Sequence, residues 1–240
     1  MTSLPLTPAH ADESSNFTAP QKDELQEMFS DFINENPELI MESVRKFQED
    51  LAQRAAQSAQ ENVKTYQEYF ASDDVPIAGN PEGDVTVVEF FDYNCGYCRK
   101  AFEDIMEILE EDKNIRVVFM EYPILSPTSQ KMAEYALAAK QQDKYFEMHQ
   151  ALMEYRGAQN DAAYMKLAKN IGLDTEQLKK DMEGAEVSAA IAKVRMVAQS
   201  LDIRGTPGFV IGDDIYPGAI GVKAMRSAIE SARSDAARGE

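Results

Sequence analysis

The stretch that decides the fold reads Phe91-Asp92-Tyr93-Asn94-Cys95-Gly96-Tyr97-Cys98, and it holds the only two cysteines in 240 residues. The apolar run before it, residues 85–91, has the β-branched and aromatic composition of a buried strand. The spacing of apolar residues after it predicts a helix over residues 95–111. A cysteine at a helix start has its thiolate stabilised by free backbone N–H groups and by the helix dipole. The stretch therefore predicts a thiol pair suited to reversible two-electron exchange.

Two other interpretations of the cysteine pair stay open. A structural disulfide between Cys95 and Cys98 would close too small a ring to constrain the unfolded chain much. A zinc site needs about four ligands, and the chain offers only His10 and His149 as histidines, neither near the pair in sequence. Redox chemistry is favoured because the pair lies where a strand is followed by a helix.

Composition excludes several classes of protein. The chain is 44% hydrophobic and 28% charged, as globular proteins are. No stretch of it approaches the ~20 consecutive apolar residues of a membrane span. A formal net charge of −18 argues against nucleic acid as a partner. The sequence also contains no phosphate-binding glycine loop, zinc-protease motif or serine-hydrolase motif.

The first residues bear on the cellular compartment. Residues 1–17 are predicted to be disordered, and Ala9-His10-Ala11 followed by polar residues resembles the end of a secretory signal at its cleavage site. Such a signal remnant would place the protein in the periplasm, where disulfide chemistry is supported. The basic part and most of the apolar part of a signal are missing, so an ordinary unstructured terminus is the alternative.

Residues 18–70 are predicted to be helical, with one apolar stripe. Thr18, Pro20 and Gln21 are typical of a capped helix start, and Asn36-Pro37 separates this helix from the next. The stripe consists of Leu25, Met28, Phe29, Phe32, Ile33, Ile40, Val44, Phe47 and Leu51. This segment has too little apolar mass for a core of its own. We expect it to pair with copies of itself; packing on the main domain is the alternative.

Residues 71–240 are predicted to form one α/β domain. Prolines and glycines in residues 71–84 indicate a linker. Strands at 85–91 and 115–120, with a helix between them, predict a parallel βαβ unit. A helical insertion is expected at about residues 126–201. Two short strands, near residues 208–212 and 215–218, precede a last helix over about residues 222–237.

This order of elements, together with Cys95-Gly96-Tyr97-Cys98 and the loop Gly205-Thr206-Pro207, resembles the thioredoxin-like DsbA family. Within that family the chain is most similar to ScsC-type proteins, which carry extra N-terminal helices. The likeness covers residues 75–237 well and residues 18–70 more loosely. It implies an α/β thioredoxin-like fold with an inserted helical subdomain. It also implies that the protein has no bound cofactor and works through a redox-active disulfide between Cys95 and Cys98.

The resemblance implies roles for five residues. Cys95 would be the exposed nucleophile, and Cys98, on the inner side of the helix, the resolving thiol. Pro207 would follow a cis peptide bond, so that the backbone of Thr206 pairs with an extended substrate beside Cys95; a trans bond is the ordinary default. Glu89 would be the buried acid that relays protons to Cys98, with its pKa raised by desolvation. An edge position that faces water is the alternative for Glu89.

The dipeptide between the cysteines bears on the direction of the chemistry. Strongly oxidising members of the family carry a histidine there, whereas this chain has Gly96-Tyr97. Gly-Tyr combined with threonine before the cis-proline is similar to the periplasmic disulfide isomerases, which join catalytic domains through an N-terminal segment. The resemblance therefore implies a dimeric or trimeric disulfide isomerase or reductase that acts on misfolded or reduced exported proteins. A membrane thiol–disulfide reductase would be its redox partner.

Two rival functions stay open. One is a monomeric DsbA-like dithiol oxidase. The other is a copper-tolerance protein that binds Cu(I) through Cys95 and Cys98, since two thiolates three residues apart suit that ion and the ScsC group is associated with copper tolerance. His149 is expected to be structural or on the surface rather than catalytic.

Overall fold

The computed structural model describes residues 17–238 and divides the chain into two compact units, one ending at Gln53 and one beginning at Arg54. The predictions of disorder and a signal remnant in residues 1–17 lie outside the described residues, except at Phe17. In chain order the elements are α1 (Ala19–Glu35), α2 (Pro37–Ala71), β1 (Ile77–Gly79), β2 (Val85–Phe91), α3 (Gly96–Glu111), β3 (Ile115–Glu121), α4 (Pro127–Lys140), α5 (Tyr145–Glu154), α6 (Asp161–Asn170), α7 (Thr175–Met182), α8 (Ala185–Ser200), β4 (Gly208–Ile211), β5 (Asp214–Pro217) and α9 (Gly221–Arg238).

A mixed five-stranded sheet in the order β1-β3-β2-β4-β5 organises the second unit. Strands β2 and β3 run parallel and are joined by α3, which confirms the predicted βαβ unit. Strand β4 runs antiparallel to β2, and β5 runs antiparallel to β4. Helices α4 to α8 lie between β3 and β4 in the sequence. The predicted α/β fold, with a helical subdomain inserted between β3 and β4 and with N-terminal helices, is thus confirmed.

The linker predicted for residues 71–84 contains a strand that sequence analysis missed. Strand β1 pairs antiparallel with β3, with Ile77 opposite Val118. A strand of three residues is too short to show the alternation by which strands are recognised. Gly79 ends it at φ +80°, and a β-carbon there would lie 2.6 Å from the carbonyl oxygen of Ile115. This close approach requires glycine. Gly79, one of the glycines that predicted a linker, therefore allows β1 to pair with β3.

The sheet is covered on both faces. One face carries Phe91 and Phe119 and packs against Phe102 of α3. The other carries Phe90 and packs against Phe70 of α2. Burial on both faces explains why β2 and β3 appear as continuous apolar runs in the sequence.

The second unit begins earlier than the predicted boundary at residue 71. Val63 and Phe70, in the last turns of α2, are buried in the core that includes Phe90 and Val118. Their burial against the sheet makes residues 54–70 part of the second unit rather than of a separate N-terminal segment.

The first unit consists of α1 and the first half of α2. Helix α1 begins after Thr18, whose backbone N–H donates to Oε1 of Gln21 at 2.9 Å, and it ends before Asn36, as predicted. No side chain of α1 is buried. The apolar stripe of this unit is exposed at Met28, Phe29, Phe32, Ile33, Ile40, Val44, Phe47 and Leu51. Among residues 17–238, no helix is both long and apolar enough to span a bilayer.

Candidate active site

Cys95 is the N-cap of α3, the position at which backbone N–H groups point out of the helix. Its Sγ accepts the N–H of Cys98 at 3.3 Å and donates to the carbonyl oxygen of Thr206 at 3.3 Å. Both thiols are free. Tyr97, between them, is 73% exposed. A negative charge on Cys95 would therefore lie at the positive end of the helix dipole.

The two cysteines differ in burial. Cys95 keeps 7% of its surface exposed and Cys98 none. The prediction that Cys95 is exposed was wrong: Cys95 is buried, although less completely than Cys98, and the loop that contains Thr206 lies within hydrogen-bonding distance of its sulfur. Its role as the nucleophile stays a prediction. Burial, and next the charge of Glu89, raise the pKa of the Cys98 thiol. Cys98 therefore needs a base nearby if it is to lose its proton at neutral pH.

The peptide bond between Thr206 and Pro207 is cis, as the resemblance implied. Thr206 precedes Gly208, the first residue of β4 that pairs with a neighbouring strand. Among residues 17–238 its hydroxyl is buried without a hydrogen-bond partner. Its backbone is thus outside the sheet and beside the Cys95 sulfur. That an extended substrate pairs with this backbone stays a prediction.

Glu89 is fully buried, which confirms the burial predicted from its apolar neighbours. Within the described residues neither of its carboxyl oxygens has a hydrogen-bond partner. Burial raises its pKa well above the ordinary value, and the charges of Cys95 and Glu121 raise it further. Glu89 and Phe91 share one face of β2, the face that packs against Cys98. The site therefore holds a carboxyl group able to exchange a proton near the inner thiol, although the relay itself stays a prediction.

Sequence reasoning missed the residue that holds the loop before Cys95. The carboxylate of Asp92 accepts the N–H of Asn94 at 2.8 Å and the N–H groups of Ile124 and Leu125 at 2.9 and 3.0 Å. It thereby ties the end of β2 to the segment after β3. In the sequence, the position of Asp92 close to the cysteines was the only indication of this role.

A second missed group is a buried cluster around Glu121, which is 2% exposed. The hydroxyls of Tyr93 and Tyr145 each donate to its Oε1 at 2.8 Å. Nδ1 of His149 lies 3.0 Å from the Tyr93 hydroxyl. Burial raises the pKa of Glu121 to about 8 against the opposing effect of the two tyrosines. His149 is fully buried, so the structural interpretation holds rather than the surface one.

The zinc and copper interpretations of the cysteine pair can be compared with the described part of the structure. Across residues 17–238, no group of three or more histidine, cysteine or acidic side chains is arranged to hold a metal ion. A Cu(I) ion at this site would depend on the sulfur atoms of Cys95 and Cys98.

Comparison with known proteins identifies relatives of the second unit. A family model described as thioredoxin matches residues 71–231. A Na⁺/H⁺ antiporter NhaA 1 of Salinispora arenicola is 30% identical over 65% of this chain and 24% of its own length. The chain thus spans about a quarter of the length of the first curated relatives it matches. A probable disulfide bond formation protein D of Bacillus anthracis is 26% identical over 62% of this chain and 74% of its own.

Solved structures extend the likeness. A thioredoxin-like oxidoreductase from Silicibacter pomeroyi is 47% identical, with a TM-score of 0.66 over 69% of this chain and 95% of that one. Proteus mirabilis ScsC, in a transitional conformation, has a TM-score of 0.66 over 91% of this chain and 100% of that one. At 24% identity, this second match shows the fold, and its coverage extends over the N-terminal helices.

Proposed function

This chain belongs to the thioredoxin family, and on that premise we propose that it is a thiol–disulfide oxidoreductase of the DsbA type and, within that class, a protein disulfide isomerase or reductase acting on exported proteins. The observation that carries the exchange chemistry is the placement of Cys95 at the N-terminus of α3, 3.3 Å from the carbonyl oxygen of Thr206, with Cys98 buried beneath it.

The proposed cycle begins with attack of the Cys95 thiolate on a substrate disulfide. The sulfur of Cys95 forms a mixed disulfide, and the second substrate sulfur leaves as a thiolate. Thr206 pairs its backbone with the substrate during this step. In the reductase direction, Glu89 accepts the proton of Cys98, whose sulfur then attacks Cys95 and releases the substrate. In the isomerase direction, another thiol of the substrate resolves the mixed disulfide, and Cys95 returns to the thiolate.

The exposed apolar stripe of the first unit supports the isomerase over a monomeric oxidase. Among residues 17–53, the described part of the first unit, the apolar side chains of α1 and of the first half of α2 are exposed and no partner surface covers them. We propose that residues 18–53, the part of the predicted segment 18–70 outside the core of the second unit, join chains into a dimer or trimer. A cleft between catalytic units would hold a misfolded chain while its disulfides exchange.

Compartment and redox partner complete the proposal. The Ala9-His10-Ala11 pattern supports export to the periplasm. Isomerase activity requires reduced Cys95, so a membrane thiol–disulfide reductase is the proposed donor of electrons. The absence of histidine between the cysteines supports a centre that is less oxidising than strong dithiol oxidases.

The test is refolding of a scrambled multi-disulfide protein by the full chain and by a Phe29→Asp, Phe47→Asp variant. Both phenylalanines are more than half exposed, so folding should survive while association is lost. A Gln26→Asp, Gln48→Asp variant adds the same charge at exposed polar positions of the same helices and is the control. We expect the phenylalanine variant to be monomeric and to lose isomerase activity, while the control keeps both properties.

Other outcomes would favour the rival functions. Equal isomerase activity in a monomeric variant would remove the role of the N-terminal helices. A wild-type monomer with a reduction potential near the strongly oxidising value of about −120 mV would favour the dithiol oxidase. Tight binding of Cu(I) without disulfide exchange would favour the copper protein.

A further inference from the structure

Two carboxyl groups, rather than one, are buried beneath the active site. In the parallel pair of strands, Glu89 lies opposite Phe119, and Phe91 lies opposite Glu121. Residues two apart share a face of a strand, so both carboxyls lie on the face that packs against α3 and Cys98. The proposed cycle uses only Glu89. Glu121 is a buried ionisable group to which that cycle gives no task.

The contacts of Glu121 connect it to the loop that carries Cys95. Tyr93, two residues before Cys95, donates its hydroxyl to Glu121, and its carbonyl oxygen accepts Nε–H of Arg99 at 2.9 Å. Tyr145 donates to the same carboxyl oxygen from α5. Glu89, in contrast, has no hydrogen-bond partner among the described residues. Glu121 is therefore held in place, while Glu89 is free to give or accept a proton.

The charges around the two carboxyls do not neutralise them. The titratable groups that face them are Asp92 and Tyr93 from the loop after β2, Cys95 and Cys98 from the start of α3, and Tyr145 and His149 from α5. None of these groups is positively charged at neutral pH, because burial lowers the pKa of His149 to about 3. A negative charge on Glu121 is therefore felt by Glu89 with little compensation.

We propose that Glu121 is a positioning residue of the exchange centre, and that its charge controls how readily Glu89 accepts the proton of Cys98. This inference rests on the proposed function. A carboxylate at Glu121 makes a second negative charge at Glu89 less favourable, as for two acids that share a site. Because the pKa of Glu121 is raised to about 8, the group is mostly neutral at pH 7 and charged in alkaline solution.

The affected step is the resolution of the mixed disulfide by Cys98. Glu89, as a carboxylate, takes the proton from the Cys98 thiol. A bond forms between the sulfurs of Cys98 and Cys95, the bond between Cys95 and the substrate sulfur breaks, and its electron pair leaves on the substrate as a thiolate. The dithiol is oxidised and the substrate sulfur is reduced. Ionisation of Glu121 slows this step because it keeps Glu89 protonated.

The experiment is stopped-flow reaction of the reduced full chain with 5,5′-dithiobis(2-nitrobenzoic acid). A first, bimolecular release of thionitrobenzoate reports attack by Cys95. A second release, independent of protein concentration, reports attack by Cys98 on the mixed disulfide. In Glu121→Gln, which keeps an oxygen acceptor for both tyrosines, we expect the second-phase rate relative to wild type to increase about tenfold between mildly acid and alkaline pH, as for one pKa unit of coupling.

A second variant separates this role from a merely structural one. Tyr145→Phe removes a hydrogen bond that lowers the pKa of Glu121, so the pH at which the second phase begins to slow should move upward. Tyr135→Phe is the matched control, since it removes a buried hydroxyl that bonds Asp161 instead, and it should leave that pH unchanged.

The outcomes distinguish the inference from the function on which it rests. If no first phase occurs in the wild-type protein, Cys95 is not a nucleophile and the proposed function fails. If both phases occur but Glu121→Gln changes the second-phase rate by the same factor at every pH, the positioning role of Glu121 is overturned. An unchanged or lowered transition pH in Tyr145→Phe would overturn it as well.

Discussion

Helix α2 passes through two different environments. In the first unit, Phe47 is 62% exposed; in the second, Phe70 is 1% exposed and packs beneath the sheet. Both are phenylalanines on the same helix, so helix propensity and hydrophobicity do not distinguish them. The second unit provides strands that cover its side of α2, whereas the first leaves its apolar stripe open. An apolar stripe therefore predicts that a partner surface exists, but not whether that surface belongs to the same chain.

The largest expected effect separates the chemistry of the second unit from the association of the first. Cys95→Ser should lower thiol–disulfide exchange by more than roughly 10³-fold, because it removes the nucleophile. Its mass in solution should equal that of wild type. Reduction of insulin and light scattering measure the two properties. Cys98→Ser is the control, since it should still form a mixed disulfide and trap it. Persistent exchange by Cys95→Ser would remove Cys95 from the mechanism.

The difference in burial between Phe70 and Phe47 of α2 can be tested by measuring how their replacement changes the free energy of unfolding. Phe70→Ala should lower the free energy of unfolding by about 3–5 kcal/mol, since it leaves a cavity in a closed core. Phe47→Ala should change that of the monomer by less than about 0.5 kcal/mol, since its side chain is already in water. Urea unfolding at a concentration that keeps the chain monomeric compares them. Equal losses of free energy of unfolding in the two variants would show that the apolar stripe of the first unit packs within its own chain.

A smaller effect is the pH dependence of the free energy of unfolding, which arises from the buried carboxyl groups of the second unit. Glu121 has a folded pKa of about 8 against an ordinary 4.5, so the folded state holds a proton that the unfolded state releases. Its contribution to stability is fully present below about pH 4.5 and is lost as the pH rises through about 8. Glu121→Gln should therefore raise the free energy of unfolding in alkaline solution by roughly 2–3 kcal/mol, allowing for relaxation around the charge.

Urea unfolding of wild type and Glu121→Gln at acid and alkaline pH measures this difference. Glu110→Gln, which removes an exposed carboxylate of α3, is the control and should keep the pH dependence of wild type. Parallel pH curves for wild type and Glu121→Gln would contradict the assignment.

The smallest expected effect is the loss of stability when an ion pair of either unit is removed. Arg233, on α9, bonds Asp84 at 2.7 Å and Asp112 at 3.0 Å and so connects three parts of the second unit. Arg45 pairs with Glu49 along an exposed face of α2. Because solvent screens such pairs, Arg233→Met should cost about 1 kcal/mol and Arg45→Met less than about 0.5 kcal/mol. Thermal unfolding of the two variants measures which of them loses more stability. A larger loss in Arg45→Met than in Arg233→Met would contradict this expectation.

Local signals predicted much of the fold and of the candidate site. The helix after Cys95, the parallel strands around it and the burial of Glu89 follow from patterns within a few residues. Strand β1 was missed because three residues show no alternation and pair with a partner far away in sequence. Glu121 was missed because its tyrosine partners come from a loop 28 residues before it and a helix 24 residues after it.

By itself, the amino-acid sequence determined where the longer helices and strands form and that one thiol pair stands at a strand-to-helix junction, because these properties depend on neighbours along the chain. The tertiary structure decided which phenylalanines of α2 are buried, which carbonyl oxygen faces Cys95, and that two acids rather than one share the face beneath it. Burial and charge coupling depend on distances in space, and only the packed sheet brings such distant residues together.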